Sequence, residues 1–284
     1  MAQRNVPTIL KLIRLAFAVL AVIAPPLGVA WAYRLWFRAP RNKTPKRELA
    51  WRDKTSTRQL YTQFGRVMTY HWGDAEQPRV FLVHGWSGRG LQMGAFAAPL
   101  VKAGYSVTCF DAPGHGESDG HATTIFQIAE ILRKLVFEAK QPYAIIAHSF
   151  GCMVCAYALR DYQLNIQKFI AISSPTVPQF LVDDFVNTLQ LSPRITDGFI
   201  ARLKQDFGED VMERTNAELN IREWPGELLV IHDKDDVVVH WQYGEQLAQA
   251  AKHSKTLYTN SLGHRRILRD KDVIGACVSF IAGK

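Results

Sequence analysis

The chain has 284 residues, 48% of them hydrophobic, and a formal charge of +8, which suits one domain built around one large core. The charge excludes a domain-wide nucleic-acid footprint once it is located: residues 1–58 hold twelve Lys and Arg against Glu48 and Asp53, a net +10, which leaves −2 for the remainder. The four cysteines, Cys109, Cys152, Cys155 and Cys277, are too few and too scattered for a disulfide framework, so a reducing compartment is the simpler setting.

Nineteen uncharged residues run between Arg14 and Arg34, close to the roughly 20 that cross a bilayer core. They predict an N-terminal membrane helix, with residues 1–40 as the anchor. Trp31, Tyr33, Trp36 and Phe37 suit an interfacial belt, and the excess of positive charge after them places the large domain on the cytoplasmic side, as in a bacterial inner membrane. Pro25 and Pro26 interrupt the segment and should kink it. Two other readings stay open: a monotopic hairpin bent at the prolines and lying in one leaflet, and a secretory signal cut after Ala30-Trp31-Ala32. Arg34, Arg38 and Arg41 would hinder export just past that cut.

Residues 41–56 are charged, contain Pro45 and read as a basic linker. The domain is expected over 57–284. It opens with short β-rich runs at 58–64 and 66–72 that meet at Gly65 as a hairpin. Strands follow at 79–83, 105–110, 143–147, 169–172, 228–231 and 256–259. Helical periodicity separates them at 91–103, 124–140, 150–161, 242–252 and 272–281. Such alternation predicts an α/β fold with a mostly parallel central sheet and helices on both faces. Residues 177–222 have helical period and no strand, so they predict a small helical cap.

Ligands of a parallel sheet bind beyond the carboxyl ends of its strands, and the chemically suggestive residues lie at those ends. Ala147-His148-Ser149-Phe150-Gly151 joins a strand to a helix with almost no loop, the spacing of the G-x-S-x-G nucleophile elbow with Ala147 in place of the first glycine. An ordinary helix N-cap would explain Ser149 alone. A serine nucleophile needs a base. Of nine histidines, His264 follows the last strand, after the serine and after a candidate acid. Asp233, Asp235 and Asp236 compete for the acid. The backbone N–H of Phe150, at a helix start, is expected to face the developing oxyanion.

Taken together, His84-Gly85-Trp86-Ser87-Gly88, the run from Asp111 to Ser118, the elbow and Gly263-His264 resemble the α/β-hydrolase superfamily over about residues 60–284. The ending from His264 to Asp270 is similar to that of bacterial esterase-like members. The resemblance implies the α/β-hydrolase fold and a triad in the chain order Ser149, Asp236, His264. Asp236 is chosen because the turn from His232 to Val239 matches His-Gly-x-x-Asp-x-x-Val, with Asp233 where the glycine belongs; Asp235 stays the alternative. The backbone N–H of Trp86 becomes the second oxyanion donor.

The implied activity is that of a serine hydrolase of carboxylesterase or lipase type. It would cleave a small-molecule carboxylic ester, thioester or acylglycerol, with no cofactor, no metal and no nucleic-acid partner, and with a membrane as partner through the N-terminal segment. The apolar cap residues Phe180, Leu181, Phe185 and Leu189 hint at acyl chains. The alternative from another class is a membrane-tethered, non-catalytic binding protein that retains the fold. Two decoys carry less. The glycines at 88, 90 and 94 begin too late after their strand for a dinucleotide loop. Cys152 and Cys155 have redox spacing but lie on the nucleophile helix, where core packing explains them.

Overall fold

The structure is a computed structural model that describes residues 7–284. In chain order it comprises α1 (Thr8–Ile23), α2 (Pro25–Trp36), α3 (Lys46–Arg52), β1 (Ser56–Thr62), β2 (Gly65–Trp72) and β3 (Arg79–Val83). A 3-10 segment at Gly90–Phe96 leads into α4 (Ala97–Lys102), β4 (Ser106–Phe110), α5 (Ile125–Phe137), β5 (Pro142–His148), α6 (Phe150–Asp161) and β6 (Lys168–Ile172). Then come α7 (Pro178–Leu189), α8 (Pro193–Phe207), α9 (Val211–Arg214), α10 (Ala217–Ile221), β7 (Glu227–Asp233), α11 (Trp241–Ala250), β8 (Ser254–Thr259), α12 (Gly263–Arg266) and α13 (Lys271–Ile281). The chain divides into two units. The described residues up to Arg38 join Pro178–Arg214, and Ala39–Val177 joins Thr215–Lys284.

The larger unit is built on an eight-stranded sheet of order β1-β2-β4-β3-β5-β6-β7-β8. The hairpin β1–β2 and the β2–β4 pair are antiparallel, and every pair from β4 through β8 is parallel. The central strands are apolar on both faces, as a sheet covered twice requires. One face carries Val80, Leu82, Ile146, Ile170 and Ile231 onto a core shared with Phe96, Leu100 and the α13 residues Val273 and Phe280. Residues in the opposite phase of the pleat, such as Val230, face α6 and α11. The strands and the flanking helices stand where the alternating pattern predicts them.

Residues 46–52, expected within a linker, instead form a helix of this unit. Glu48 on α3 is buried and pairs with Arg89 (Nε to Oε2 2.5 Å), and Trp51 packs against Gly94 and the core. The expected cap region is divided: α7, α8 and α9 belong to the smaller unit, whereas α10 belongs to the larger one and packs on α6.

The single membrane helix expected around residues 15–33 does not form. At Ala24 the backbone leaves the helix (φ −153°, ψ 64°), and Pro25 starts a second helix, because each proline lacks a donor and clashes with the preceding turn. Among the described residues no helix is long and apolar enough to cross a membrane. Half of this apolar segment is used for packing inside the smaller unit. Phe17 stacks on Trp31 at 4.4 Å in a core with Ala32, Leu189 and Ile195, and Gly28 and Gly198 let α2 and α8 approach closely. Phe185 packs against Trp36 and Phe199, and Leu189 joins the Phe17 core. Both therefore serve this unit's own interior, which removes the hint drawn from them about acyl chains.

Candidate active site

Strand β5 ends at His148 and α6 starts at Phe150, so Ser149 must turn the chain alone. It does so at φ 53°, ψ −128°, a conformation that costs a non-glycine residue about 1–3 kcal/mol. The Ser149 N–H donates to the Ile172 oxygen at 2.9 Å, which fixes the turn to β6. Gly151 is required because a Cβ there would sit 2.7 Å from the carbonyl oxygens of Val83 and His84. Ala147 replaces the usual glycine without conflict, since its lateral neighbour on β6 is the equally small Ala171.

Ser149 Oγ lies 3.1 Å from His264 Nε2, and His264 Nδ1 lies 2.8 Å from Asp236 Oδ2. A carboxylate only accepts, so the Nδ1–H donates to Asp236 and Nε2 is left to accept the serine proton. Asp236 follows β7 in a tight turn, and its other oxygen accepts the N–H groups of Val238 (2.9 Å) and Val239 (3.0 Å). Burial pushes its carboxyl up, but the imidazoles of His232 and His264 and the N–H of Val239 outweigh that and hold it well below the usual carboxylate range. His232 Nε2 stands 3.6 Å from Asp236 and donates to the Val239 oxygen at 2.9 Å.

The competing acids have other roles. Asp235 accepts from the Ser261 N–H at 2.8 Å. Asp233, where a glycine was expected, is buried; it accepts from the Thr259 hydroxyl at 2.7 Å and the Leu262 N–H at 3.0 Å. The substituted glycine is thus a brace for the loop that carries His264.

The loop after β3 approaches the serine closely: a Cβ on Gly85 would lie 2.9 Å from Ser149 Cβ. The backbone N–H of Trp86, on this loop, and that of Phe150, at the start of α6, have no hydrogen-bond partner among the described residues. The Trp86 indole meets the Phe150 ring edge-on at 5.5 Å. Sequence reasoning passed over the side chains that hold this loop. The Ser87 N–H donates to His115 Nε2 (3.1 Å), and the Ala112 N–H donates to His84 Nε2 (3.0 Å). Asp111 accepts from the N–H groups of Gly90 (2.7 Å) and Glu117 (2.8 Å) and from the Tyr70 hydroxyl (2.9 Å). The glycine-rich run around Asp111 pointed to a turn but not to these partners.

His148 was also passed over. Its Nε2–H donates to the backbone oxygen of His264 at 2.8 Å, with the two rings 4.7 Å apart. The cysteine pair on α6 is sealed in the core, where burial pushes the Cys152 thiol up to about 12. Such a thiol stays protonated and unreactive. Among the described residues no cluster of His, Cys, Asp and Glu could hold a metal ion.

A family model described as alpha/beta hydrolase fold matches residues 78–223. The chain belongs to the α/β-hydrolase family. No curated protein matches this hydrolase, but solved structures do. A putative lipase from Acinetobacter baumannii AYE is 18% identical, with 86% of this chain and 98% of the other covered at a TM-score of 0.65. A membrane phospholipase A, a bacterial virulence factor, is 16% identical over 97% and 96% at 0.64. A monoacylglycerol lipase from Paleococcus ferrophilus is 21% identical over 76% and 98% at 0.59. At these identities the likeness to the solved structures is one of fold.

Proposed function

We propose that the chain is a serine hydrolase that cleaves a carboxylic ester, thioester or acylglycerol through an acyl-Ser149 intermediate. The observation that carries this reading is the unbroken hydrogen-bonded chain from the Ser149 hydroxyl through the His264 imidazole to the Asp236 carboxylate. In the first step Ser149 Oγ attacks the acyl carbon while its proton passes to His264 Nε2. The imidazolium so formed is held by the Asp236 charge. The carbonyl oxygen becomes an oxyanion that accepts from the N–H groups of Trp86 and Phe150, where each donor is worth about 100- to 1,000-fold in rate. Collapse expels the alcohol or thiol, which takes the proton from Nε2. Water then repeats the sequence on the acyl-serine and releases the acid.

The substrate class is in keeping with the descriptions of three fold neighbours, a putative lipase, a membrane phospholipase A and a monoacylglycerol lipase. The test is labelling of the intact chain by a fluorescent alkyl phosphonate, followed by a panel of p-nitrophenyl esters of rising acyl length. Stoichiometric labelling that vanishes in Ser149→Ala is the expected result. A wild-type chain that never labels, yet binds an ester without turning it over, would defeat the proposal in favour of a non-catalytic binding protein.

A further inference from the structure

Helix α1 uses only one side to pack. Phe17, with Leu10, Ile13 and Ala21 around it, points into the core of the smaller unit. The opposite side carries Leu12, Leu15, Val19, Val22 and Ile23, spaced by threes and fours and between 47 and 79% exposed, and Leu27 at the start of α2 prolongs the stripe. Isolated exposed aliphatic residues are ordinary, but a contiguous stripe marks a contact surface.

Three observations identify what covers it. The stripe is purely aliphatic, without the Trp, Tyr or Arg anchors that dominate protein–protein contacts. Its border is cationic: Lys11, Arg14, Leu15, Ala18 and Gln190 line a shallow cleft of about 350 Å3, so a two-cation site for an anionic group opens beside the apolar face. From Pro7 to Arg38, the described residues that this unit takes from the start of the chain, Lys11, Arg14, Arg34 and Arg38 are cationic and none is acidic.

We propose that α1 lies in the plane of an anionic phospholipid membrane, its aliphatic stripe among the acyl chains and a lipid phosphate in the Lys11–Arg14 cleft. The helix has 16 residues, about 24 Å at about 1.5 Å per residue, too short for a hydrocarbon core of about 30 Å. Its inner side is covered, and Arg14 Nε donates to the Thr188 oxygen at 3.0 Å, so the geometry is that of a surface-lying helix.

The test is co-sedimentation of the full chain with vesicles of phosphatidylglycerol and phosphatidylcholine, or of phosphatidylcholine alone. Binding is expected to the anionic vesicles and to weaken as salt rises. Replacing Leu15→Asp and Val19→Asp together should lower partitioning at least about tenfold, and Lys11→Gln should lower it about fivefold on anionic vesicles only. The thermal midpoint should be unchanged in both, since the altered side chains are exposed. The proposal is overturned by wild-type chain that stays in the supernatant with both vesicles, by binding that survives the double substitution, or by a wild-type dimer that the double substitution converts to monomer while no vesicle is ever bound. The last would make a second copy of the chain the occupant. Retention of the chain after alkaline carbonate extraction would also overturn it, in favour of a spanning segment.

Discussion

The imidazole of His148, the residue preceding Ser149, donates from Nε2 to the main-chain oxygen of His264 at 2.8 Å. The strand that carries the proposed nucleophile thereby also holds the backbone of the proposed base. A misplacement of about 1 Å in such a pair costs about 100-fold in rate. His148→Leu is therefore expected to reduce kcat about 10- to 100-fold with little change in KM. His148→Gln, whose amide N–H reaches the Nε2 position, should recover most of the loss. Equal behaviour of the two variants in steady-state assays would show that the hydrogen bond does not position the base.

The two neighbouring carboxylates separate in the same assay. Asp236→Asn removes the acceptor that fixes the His264 proton on Nδ1, and losses of about 10,000-fold accompany that change in serine hydrolases. Asp235→Asn alters only a contact to the Ser261 N–H and should stay within about threefold of wild type. Comparable losses in both variants would reopen the assignment of the acid.

Gly85→Ala probes the oxyanion loop. The added methyl would stand 2.9 Å from Ser149 Cβ and 3.1 Å from the His148 oxygen, so the loop must retreat and take the Trp86 N–H with it. Loss of one oxyanion donor predicts a fall in kcat of about 100- to 1,000-fold, read by single-turnover acylation. Wild-type acylation in this variant would remove Trp86 from the proposed mechanism.

Acid should unfold the chain through its buried histidines. Burial, together with the neighbouring imidazole of His84, holds His115 down to about 4, and burial, helped by the Arg89 charge, holds His84 at about 4 as well. Burial and the adjacent His264 hold His148 at about 3. Each stays neutral in the fold but charges in the unfolded chain below about pH 6.5, so the unfolded state binds more protons there. Stability is then intact above about 6.5 and lost progressively as pH falls toward 4. Thermal midpoints should decline across that window, and less steeply in His148→Gln. A flat profile between pH 7 and 4.5 would contradict the burial of these rings.

The pair Glu48–Arg89 anchors α3 to the loop beyond β3. Glu48→Gln leaves the Arg89 charge buried without a counterion, which should destabilise the unit by about 3–5 kcal/mol in urea unfolding. A change below about 1 kcal/mol would mean that water reaches the guanidinium.

What could be read from the letters alone follows a physical division. Local patterns marked each strand and the elbow, with some ends displaced by one or two residues, because turn chemistry and period are encoded within a few residues. Ser149 and His264 emerged from their strand-end positions and chain order, whereas Asp236 was separated from Asp233 and Asp235 only by the family resemblance. The bracing roles of His84, His115, His148 and Glu48 were not legible because they depend on partners 28, 28, 116 and 41 residues away. The N-terminal segment misled in a different way. Aliphatic residues on the two sides of α1 are chemically alike, and only the fold distinguishes the side that packs from the side that is bare.

The break at Ala24 separates two very different fates for one stretch of chain. Were Pro25 and Pro26 replaced by helix formers, α1 and α2 could fuse into one rod from Thr8 to Trp36, about 43 Å long at about 1.5 Å per residue, ample for a bilayer. Two pyrrolidine rings thus decide between a bent element folded onto α7 and α8 and an integral anchor, and a pair of codon changes there would shift this polypeptide from one topological class to another.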